Sequence, residues 1–339
     1  MSLPAPVAPR VLLWGLLGLS NALWGASWVV AKIALQELTP LQLAAGRMIL
    51  AGLVLLPIVV WHARRGGLPR ELWPRLLALG LAQAVLAKWC GYWGVQHSTA
   101  ANAGLLMATE PGFTLLLAAL VLGEKLTALK VASLLLGAAG AYLIIFRETG
   151  WPSLSGATVA GDAVFILGLL LEAGYSVASK PLALRYSPLA IVSASLVAGL
   201  PVWLPVAAWD VALTGGPAYS AATLGAVAYF ALGCTVFGYV VWVYALQYID
   251  AGRVGLSVFL QPVIGTALAV AVLGEKLTWA TVSGALLVLG SLGIVLIAPS
   301  PARRSTGQAA LEDPAARPRD PAAMPRPQAR RQAGPDSDA

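Results

Sequence analysis

The sequence predicts an all-α membrane protein whose ten transmembrane helices form two inverted five-helix repeats. Composition is the first indication, because 58% of the 339 residues are apolar and 11% are charged, whereas a soluble domain has roughly 45–50% and about 25%. The second is that the apolar residues form runs of about 20 residues, which is enough to cross a bilayer as a helix. The third is an internal repeat that divides these runs into two sets of five.

The apolar runs are predicted to be helices rather than barrel strands. They are rich in leucine, alanine and glycine, and they lack the alternating polarity of membrane-barrel strands. A backbone in hydrocarbon must satisfy its own hydrogen bonds, which also favours helices. The ten runs cover residues 11–35, 40–61, 75–96, 100–122, 128–146, 159–180, 188–208, 222–247, 251–273 and 279–298.

Charged residues between the runs predict the orientation in the membrane. Short cytoplasmic loops carry an excess of lysine and arginine. One set of loops holds Arg64, Arg65, Arg70, Arg75, Lys125, Lys130, Lys180, Arg185 and Arg253. The opposite set holds only Arg147 and Lys276. Residues 1–10 and 299–339 are therefore predicted to be cytoplasmic, and the Pro- and Arg-rich composition of the latter predicts a disordered tail.

Two segments of the chain match each other in register. Gln96–Thr127 aligns with Gln247–Thr278 at a constant offset of 151 residues. Within them the string VLGEKLT occurs at 121–127 and again at 272–278. Chance matching of apolar residues does not produce a seven-residue identity that includes Gly-Glu-Lys. The segments are therefore interpreted as copies of one unit.

The repeat extends to the beginning of each unit. An offset of 148 aligns Lys32 with Lys180, so the first helices of the two halves also correspond. The repeats are predicted to cover 11–146 and 159–298. An odd number of spans in each unit inverts the second unit relative to the first. Inverted repeats are typical of secondary transporters, whose substrate site lies near the membrane midplane at the repeat interface.

The residues at a set of specific positions resemble those of the EamA-type transporters of the drug/metabolite transporter superfamily. The matching residues are Asn21, Trp24, Gly25, Lys32, Pro40, Ala44, Ala45, Gly46, Arg47, Glu110, Pro111, Gly123, Glu124, Pro262, Gly274 and Glu275. The resemblance covers about residues 11–298. It implies a bacterial inner-membrane carrier, often an exporter of amino acids or related metabolites. The second repeat departs from the pattern at Gln261, where a glutamate would mirror Glu110.

Four charged residues lie within the predicted spans and are candidates for a substrate or ion site. They are Arg47, Lys88, Glu110 and Glu172, and their formal charges sum to zero. A charge at the bilayer centre costs about 2.5–3.5 kcal/mol on insertion scales, so such residues are usually functional. The alternative is a structural ion pair that fixes the packing of the helices.

Glu110 directly precedes Pro111, and Gln261 precedes Pro262 at the equivalent position. Proline removes a backbone donor from a helix, so both sites are predicted helix breaks and candidate hinges for alternating access. A carboxylate beside the freed carbonyl of Met107 is expected of a proton or cation site. The alternative is that both prolines are packing kinks.

Aromatic residues supply the remaining candidates. Trp24 aligns with Glu172 at the 148-residue offset, so the two repeats differ there. Tyr92 and Tyr175 share helix faces with Lys88 and Glu172 respectively. Together these residues predict a cavity suited to a small zwitterion or organic ion. The alternative for the set Trp89, Trp93, Tyr239 and Trp242 is anchoring at the membrane interface.

Charged residues at the helix ends and recurrent glycines are interpreted as structural residues rather than as parts of a binding site. Glu124-Lys125 and Glu275-Lys276 are interpreted as solvated pairs, with gating as the alternative, and Lys32 and Lys180 as residues that snorkel. Four glycines, namely Gly137, Gly140, Gly290 and Gly293, are predicted to allow close helix packing.

The leading functional hypothesis is a secondary-active transporter that exports amino acids or related small metabolites by alternating access, with proton coupling as an option. The alternatives are a multidrug or organic-ion carrier, a metabolite importer and, more remotely, a channel or intramembrane enzyme. HExxH, GxSxG and Walker-type motifs do not occur, so no catalytic activity is predicted. Cys90 and Cys234 lie in apolar runs and are interpreted as core residues. The expected partners are a small-molecule substrate and the lipid bilayer, with no cofactor, metal or nucleic acid and no particular oligomeric state.

Overall fold

The computed structural model describes residues 10–65, 68–98, 102, 106–149, 156–214, 219–273 and 278–297. Each predicted apolar run corresponds to a helix in this range, and the described residues contain no strand. The predicted tail 299–339 and the pair Glu275-Lys276 lie outside it. The helices are α1 (Arg10–Ala34), α2 (Pro40–Arg64), α3 (Arg70–Gln96), α4 (Glu110–Leu122), α5 (Ala128–Thr149), α6 (Gly156–Ala183), α7 (Pro188–Val197 and Leu200–Thr214), α8 (Ala221–Leu246), α9 (Ala251–Leu256, Ser257–Phe259 and Leu260–Leu273) and α10 (Trp279–Ile297).

The lengths of these helices support a multi-pass membrane protein. Eight helices in the described part of the chain are long and apolar enough to cross a bilayer. The two pieces of α7 meet at a 42° bend and make a ninth if they form one span. The regular part of α4 has 13 residues, fewer than the roughly 20 that a span requires. The count of ten spans therefore stays a prediction.

Local sequence signals explain where several helices begin. Thr39 and Gln42 form a capping box at the start of α2: the Thr39 hydroxyl accepts from the Gln42 amide at 3.1 Å, and the Gln42 side chain accepts from the Thr39 amide at 3.0 Å. Pro40 occupies the first turn, where its missing N–H costs no hydrogen bond. Ser220 caps α8 by accepting from the amide of Thr223 at 3.2 Å.

Both α3 and α8 contain a π-helical stretch in their middle. It covers Leu81–Ala87 in α3 and Tyr229–Phe237 in α8, and the 151-residue offset brings the two stretches into overlap. A π-turn leaves carbonyl oxygens without their usual helical partners. Here the carbonyl of Cys234 accepts a hydrogen bond from the Trp24 indole at 2.8 Å. The irregularity therefore fixes a side chain from a different helix.

Both α4 and α9 depart from α-helical geometry just before the prolines predicted as helix breaks. In α4 a turn at residues 108–109 precedes the regular helix, which begins at Glu110 with Pro111 in its first turn. In α9 the 3₁₀ turn Ser257–Phe259 precedes the regular helix that contains Pro262. Because proline lacks an N–H, it fits best in the first turn of a helix. In both repeats a stretch without α-helical geometry thus lies within a few residues before the proline.

Helices α5 and α10, the last of each repeat, pack closely along each other. A Cβ added at Gly140 would lie 2.5 Å from the carbonyl oxygen of Gly284, and one added at Gly284 would lie 2.6 Å from that of Gly140. Gly137 is equally restricted, since an added Cβ would meet the Phe259 ring at 2.4 Å. At Gly293, in contrast, nothing lies within 4 Å of an added Cβ. The packing role predicted for all four glycines therefore does not extend to Gly293 within the chain itself.

Gly140→Ala is expected to lower the melting temperature of the purified protein by several degrees. The new methyl group would force apart two backbones, and overpacking of this kind costs about 1–3 kcal/mol. Gly293→Ala is the matched control, because it adds the same methyl group and the same helix propensity in open space. Thermal unfolding in detergent measures both variants. Equal melting temperatures would show that the α5–α10 crossing is not a tight contact.

Candidate functional site

The helices surround a cavity of about 400 Å³. Its lining comes from both repeats, with residues of α1, α2, α3 and α4 on one side and of α6, α8 and α9 on the other. All eight residues predicted from the sequence as substrate or ion candidates line it. They are Trp24, Arg47, Lys88, Tyr92, Glu110, Glu172, Tyr175 and Gln261. The four charged residues of the spans therefore share one cavity.

Lys88 and Glu172 form an ion pair within this cavity. The Lys88 ammonium also donates to the Tyr239 hydroxyl at 2.8 Å, and that hydroxyl lies 3.2 Å from Glu172 Oε2. Gln83 donates to the same carboxylate oxygen at 3.5 Å. The side chains of Lys88 and Glu172 are 16% and 19% exposed, so each charge is mostly removed from solvent and compensated by the other.

Arg47 is held in place without a carboxylate. Its Nε and Nη2 groups donate to the Thr235 hydroxyl at 3.3 and 3.1 Å, and its guanidinium lies 5.4 Å from the centre of the Phe230 ring. The Thr235 hydroxyl itself donates to the Phe230 carbonyl, five residues earlier, at 2.8 Å. The π-helical stretch of α8 therefore orients the residue that holds Arg47. Among the described residues, no carboxylate lies within ion-pair distance of Arg47.

Glu110 lines the cavity at the break in α4, and Gln261 lines it at the break in α9. No lysine, arginine or histidine of the described residues forms an ion pair with Glu110. Gln261, in contrast, donates to Asn21 at 3.1 Å, and Asn21 donates to the Ser257 hydroxyl at 3.0 Å. The two equivalent positions thus differ: one presents a carboxylate to the cavity and the other holds an amide within a polar network.

An aromatic wall lies next to the ionic part of the cavity, and its Tyr239 contacts the Lys88–Glu172 pair. The ring of Trp24 makes edge-on contacts with Tyr239 and Trp242, at centroid distances of 5.9 and 5.5 Å, and Tyr175 makes another with Tyr239 at 5.9 Å. The interfacial interpretation is therefore wrong for Tyr239 and Trp242, which are buried and line the cavity. Trp89 is 49% exposed and fits that interpretation better.

The repeat offsets relate the ionic and aromatic halves of the cavity to each other. Lys88 is equivalent to Tyr239 at the 151-residue offset, and Glu172 is equivalent to Trp24 at the 148-residue offset. The Lys88–Glu172 ion pair therefore corresponds to the Tyr239–Trp24 ring contact. Divergence of the repeats has placed an ion pair at one set of positions and aromatic rings at the equivalent set, and Tyr239 connects the two by its hydrogen bond with Lys88. In the sequence Tyr239 is only a candidate interfacial anchor, and its equivalence with Lys88 is the signal that could have placed it at the site.

A second group of charges, here called the Glu124 cluster, lies where α4, α5, α6 and α9 come together. It comprises Glu124, Lys130, Lys180, Asp250 and Arg253. Lys180 Nζ lies 2.8 Å from Glu124 Oε1, and Lys130 Nζ lies 3.4 Å from Glu124 Oε2. Lys130 also reaches Asp250 at 3.2 Å. The cluster joins residues of the first repeat to the start of α9 in the second.

Glu124 also caps helix α9. Its carboxylate accepts hydrogen bonds from the backbone amides of Ala251 at 2.7 Å and Gly252 at 3.2 Å, and a helix N-terminus favours negative charge. Gly123 makes this possible because its left-handed conformation, with φ of 67°, ends α4 and turns the chain. Burial raises the pKa of the Glu124 carboxyl, but Lys180 and the two amides lower it more, so the net pKa lies below its usual value.

These contacts correct two interpretations of the helix ends. Glu124 is not part of a solvated pair, since its side chain is 9% exposed, while its neighbour Lys125 is exposed. Lys180 does not snorkel to solvent, because it pairs with Glu124 and donates to the Ile249 carbonyl at 3.0 Å. The side chain of Lys32, its repeat equivalent, lies outside the described residues.

Replacing only one residue of the Lys88–Glu172 pair by an uncharged residue is expected to destabilise the protein. Lys88→Met would leave the Glu172 carboxylate uncompensated, and loss of one partner of a buried pair costs about 3–5 kcal/mol. The double variant Lys88→Met/Glu172→Gln removes both charges and should recover much of that loss. Thermal unfolding of the purified variants measures the difference. A double variant less stable than Lys88→Met would contradict this account of the pair.

The all-helical two-repeat fold and the charge-lined cavity between its repeats define a membrane transporter. The sequence model of the EamA-like transporter family matches the chain twice, over residues 12–146 and 159–297. The chain belongs to the EamA-like transporter family, and it is a multi-pass membrane protein rather than an enzyme.

Individual relatives agree with this assignment. An uncharacterized transporter of Archaeoglobus fulgidus is 30% identical over 82% of this chain and 94% of its own length. A probable terminal-alkyne amino-acid exporter of Streptantibioticus cattleyicolor is 27% identical over 84% and 92%. A probable amino-acid metabolite efflux pump of Escherichia coli is 28% identical over 80% and 90%. A crystal structure with 20% sequence identity superposes with a TM-score of 0.69 over 82% of this chain and 94% of that chain, which shows a shared fold.

Proposed function

We propose that this protein is a secondary-active transporter that exports amino acids or related small metabolites by alternating access. The observation that carries the proposal is that all four charged residues of the spans line the same cavity, which measures about 400 Å³. Small-molecule sites usually measure about 300–1,000 Å³ and combine apolar walls with a few placed polar groups. Two of the relatives described above are named for amino-acid or amino-acid-metabolite efflux, which supports the direction and the substrate class.

Alternating access is proposed to use the Glu124 cluster as the closure of one end. Glu124 and Lys130 belong to the first repeat, and they hold the start of α9 in the second repeat. The 151- and 148-residue offsets place Glu275 and Lys32 at the equivalent positions of the other end. In an inverted repeat, the same contact made at the opposite face closes that face. Exchange between the two sets of contacts would expose the cavity to one side at a time, with Pro111 and Pro262 at the hinges.

The proposed location is the bacterial inner membrane with both termini in the cytoplasm. The lysine and arginine excess of one set of loops supports this orientation. It places the Glu124 cluster at the cytoplasmic end, because Lys130, Lys180 and Arg253 all belong to that set. The proposed domains are the N-terminus 1–10, the repeats 11–146 and 159–298, and the tail 299–339.

Proton coupling is proposed to act through Glu110. This carboxylate faces the cavity and forms no ion pair with the described residues, so a proton or a cationic group of the substrate would neutralise it. The equivalent Gln261 cannot titrate. Coupling would therefore involve one carboxylate rather than a symmetric pair.

The aromatic wall supports a second candidate function, a carrier of organic cations. Trp24, Tyr239 and Trp242 line the cavity, and aromatic rings bind quaternary and other organic cations. Arg47 argues against this function, because an unpaired guanidinium repels a cation without a carboxylate. Import, channel activity and intramembrane catalysis have no comparable support in the cavity.

Counterflow in proteoliposomes tests the proposed function. Vesicles loaded with one unlabelled amino acid at high concentration are diluted into its radiolabelled form, across the twenty protein amino acids and a panel of organic cations. A secondary transporter accumulates label transiently, whereas a channel only equilibrates it. Accumulation with amino acids supports the exporter proposal, accumulation with organic cations alone supports the second candidate, and accumulation with neither contradicts both.

A further inference from the structure

We infer that the four charges of the cavity divide into a positioning pair, Lys88–Glu172, and two substrate-binding charges, of which Arg47 binds a carboxylate and Glu110 binds a protonated amine. This inference deepens the proposed function and rests on it. It states that the substrate is a zwitterion, and it names the residue that binds its carboxylate and the residue that binds its amine. It also removes Lys88 and Glu172 from direct binding, although the sequence makes all four residues candidates for the site.

Lys88 and Glu172 already satisfy each other. The ammonium pairs with the carboxylate and donates to Tyr239, and the carboxylate is further approached by Tyr239 and Gln83. A substrate carboxylate on Lys88 would have to displace Glu172 and leave it buried without its partner. Because that loss costs several kcal/mol, the pair is better suited to holding α3 and α6 together than to binding.

Arg47 has the free donors that a carboxylate requires. A guanidinium carries five N–H groups, and Thr235 accepts from Nε and from Nη2, which leaves three N–H groups for another acceptor. The contacts with Thr235 and the Phe230 ring fix the side chain in advance. A preorganised guanidinium with unused donors on a cavity wall is a favourable site for a carboxylate.

Glu110 offers the complementary charge. It lies on the same cavity, and none of the described basic side chains forms an ion pair with it. A partly buried carboxylate is stabilised when an ammonium group donates to it. The aromatic wall of Trp24, Tyr239 and Trp242 then receives the apolar part of the substrate. A molecule that lacks one of its charges would leave either Arg47 or Glu110 uncompensated, so both charges are needed for tight binding.

Binding to the purified full-length protein tests the assignment. Thermal stabilisation is first measured with each of the twenty protein amino acids, because a ligand that binds the folded state raises the melting temperature. For the amino acid with the largest shift, the affinities of three probes are then compared. These are the amino acid itself, its amide, which lacks the carboxylate, and its deaminated acid, which lacks the amine.

The wild-type protein should bind the amino acid at least tenfold more tightly than either analogue. Arg47→Gln should bind the amino acid and its amide equally while still rejecting the deaminated acid. Glu110→Gln should show the reverse, so each variant is the control for the other. Lys88→Met/Glu172→Gln should keep both preferences even if its stability changes.

Three results with the variants would overturn the inference. One is that Arg47→Gln keeps the preference for the amino acid over its amide, and another is that Glu110→Gln keeps the preference over the deaminated acid. The third is loss of both preferences in the Lys88→Met/Glu172→Gln variant, which would assign recognition to the pair. If none of the twenty amino acids stabilises the protein, the zwitterion assignment fails, whereas counterflow with another metabolite would leave the transport proposal standing.

Discussion

Glu110→Gln is expected to abolish export while the protein still inserts into the membrane at wild-type levels. Glutamine preserves the size and hydrogen-bonding capacity of the side chain but cannot carry a negative charge or exchange a proton. The cavity would lose its one carboxylate that forms no ion pair with the described residues and keep the Arg47 charge. Efflux of the preferred substrate from proteoliposomes should fall at least tenfold, measured against the amount of protein incorporated.

A matched control for this variant is Gln261→Glu, at the equivalent position of the second repeat. If a carboxylate at either break suffices, the double variant Glu110→Gln/Gln261→Glu should recover part of the activity. If the position itself matters, because Gln261 belongs to the Asn21 network, the double variant should remain inactive. Wild-type efflux by Glu110→Gln alone would contradict both the proton and the substrate role of this residue.

The helical fold and the residues of the cavity were predictable because the membrane imposes simple rules. Runs of about 20 apolar residues fix helices almost without reference to tertiary structure. The high cost of a charge in a span singles out Arg47, Lys88, Glu110 and Glu172, and the structure places all four on one cavity. The repeat identifies Trp24 and Gln261 by equivalence with two of these charges.

Pairing within the cavity could not be predicted, because it depends on contacts between distant helices. Two positive and two negative charges allow several pairings, and the structure selects Lys88 with Glu172 alone. Thr235 is not singled out by the sequence because a threonine costs little in a span, and Tyr239 is named there only as a candidate interfacial anchor. The orientation of Thr235 also requires the π-helical stretch of α8, and no local sequence pattern predicts that stretch.

Contacts at the helix ends could not be predicted either, because they also join helices that are distant in the sequence. A Glu-Lys pair after a helix usually faces solvent, and the sequence around Glu124 contains nothing to contradict this. Only the packing of α6 and α9 brings Lys180 and the amides of Ala251 and Gly252 to that carboxylate. Once these contacts are known, the first copy of the repeated Gly-Glu dipeptide has a physical explanation: Gly123 ends the helix in the left-handed conformation, and Glu124 caps a helix of the other repeat.

Glu124→Gln is expected to open the end of the cavity that the Glu124 cluster is proposed to close. The substitution removes the charge that Lys180 and Lys130 share and weakens the cap on α9, and loss of one partner in a buried charge network costs about 3–5 kcal/mol. A cysteine introduced at Val258, which lines the cavity, reports on the opening in a background without Cys90 and Cys234. Its reaction with a membrane-impermeant maleimide from the cytoplasmic face should accelerate at least tenfold.

Acidification should have the same effect on the wild-type protein. Because contacts of the charged carboxylate hold its pKa below the usual value of 4.5, the stabilisation is fully present above about pH 4.5 and is lost as the pH falls through the lower, folded-state pKa. Labelling of the reporter should therefore change little between pH 7 and pH 5, once corrected for maleimide reactivity, and rise in stronger acid. In Glu124→Gln the acid-dependent rise should be much smaller.

Lys125→Gln is the matched control for this opening. It removes a charge from the residue next to Glu124, but Lys125 is exposed and takes no part in the cluster. Its reporter should react at the wild-type rate, whereas Lys180→Gln should react as fast as Glu124→Gln, because both remove one side of the same pair. Equal labelling rates in the wild type and in the Glu124, Lys125 and Lys180 variants would mean that the cluster does not close the cavity. Faster labelling from the opposite face would instead reverse the proposed orientation, since the cluster would then lie at the outer end of the molecule.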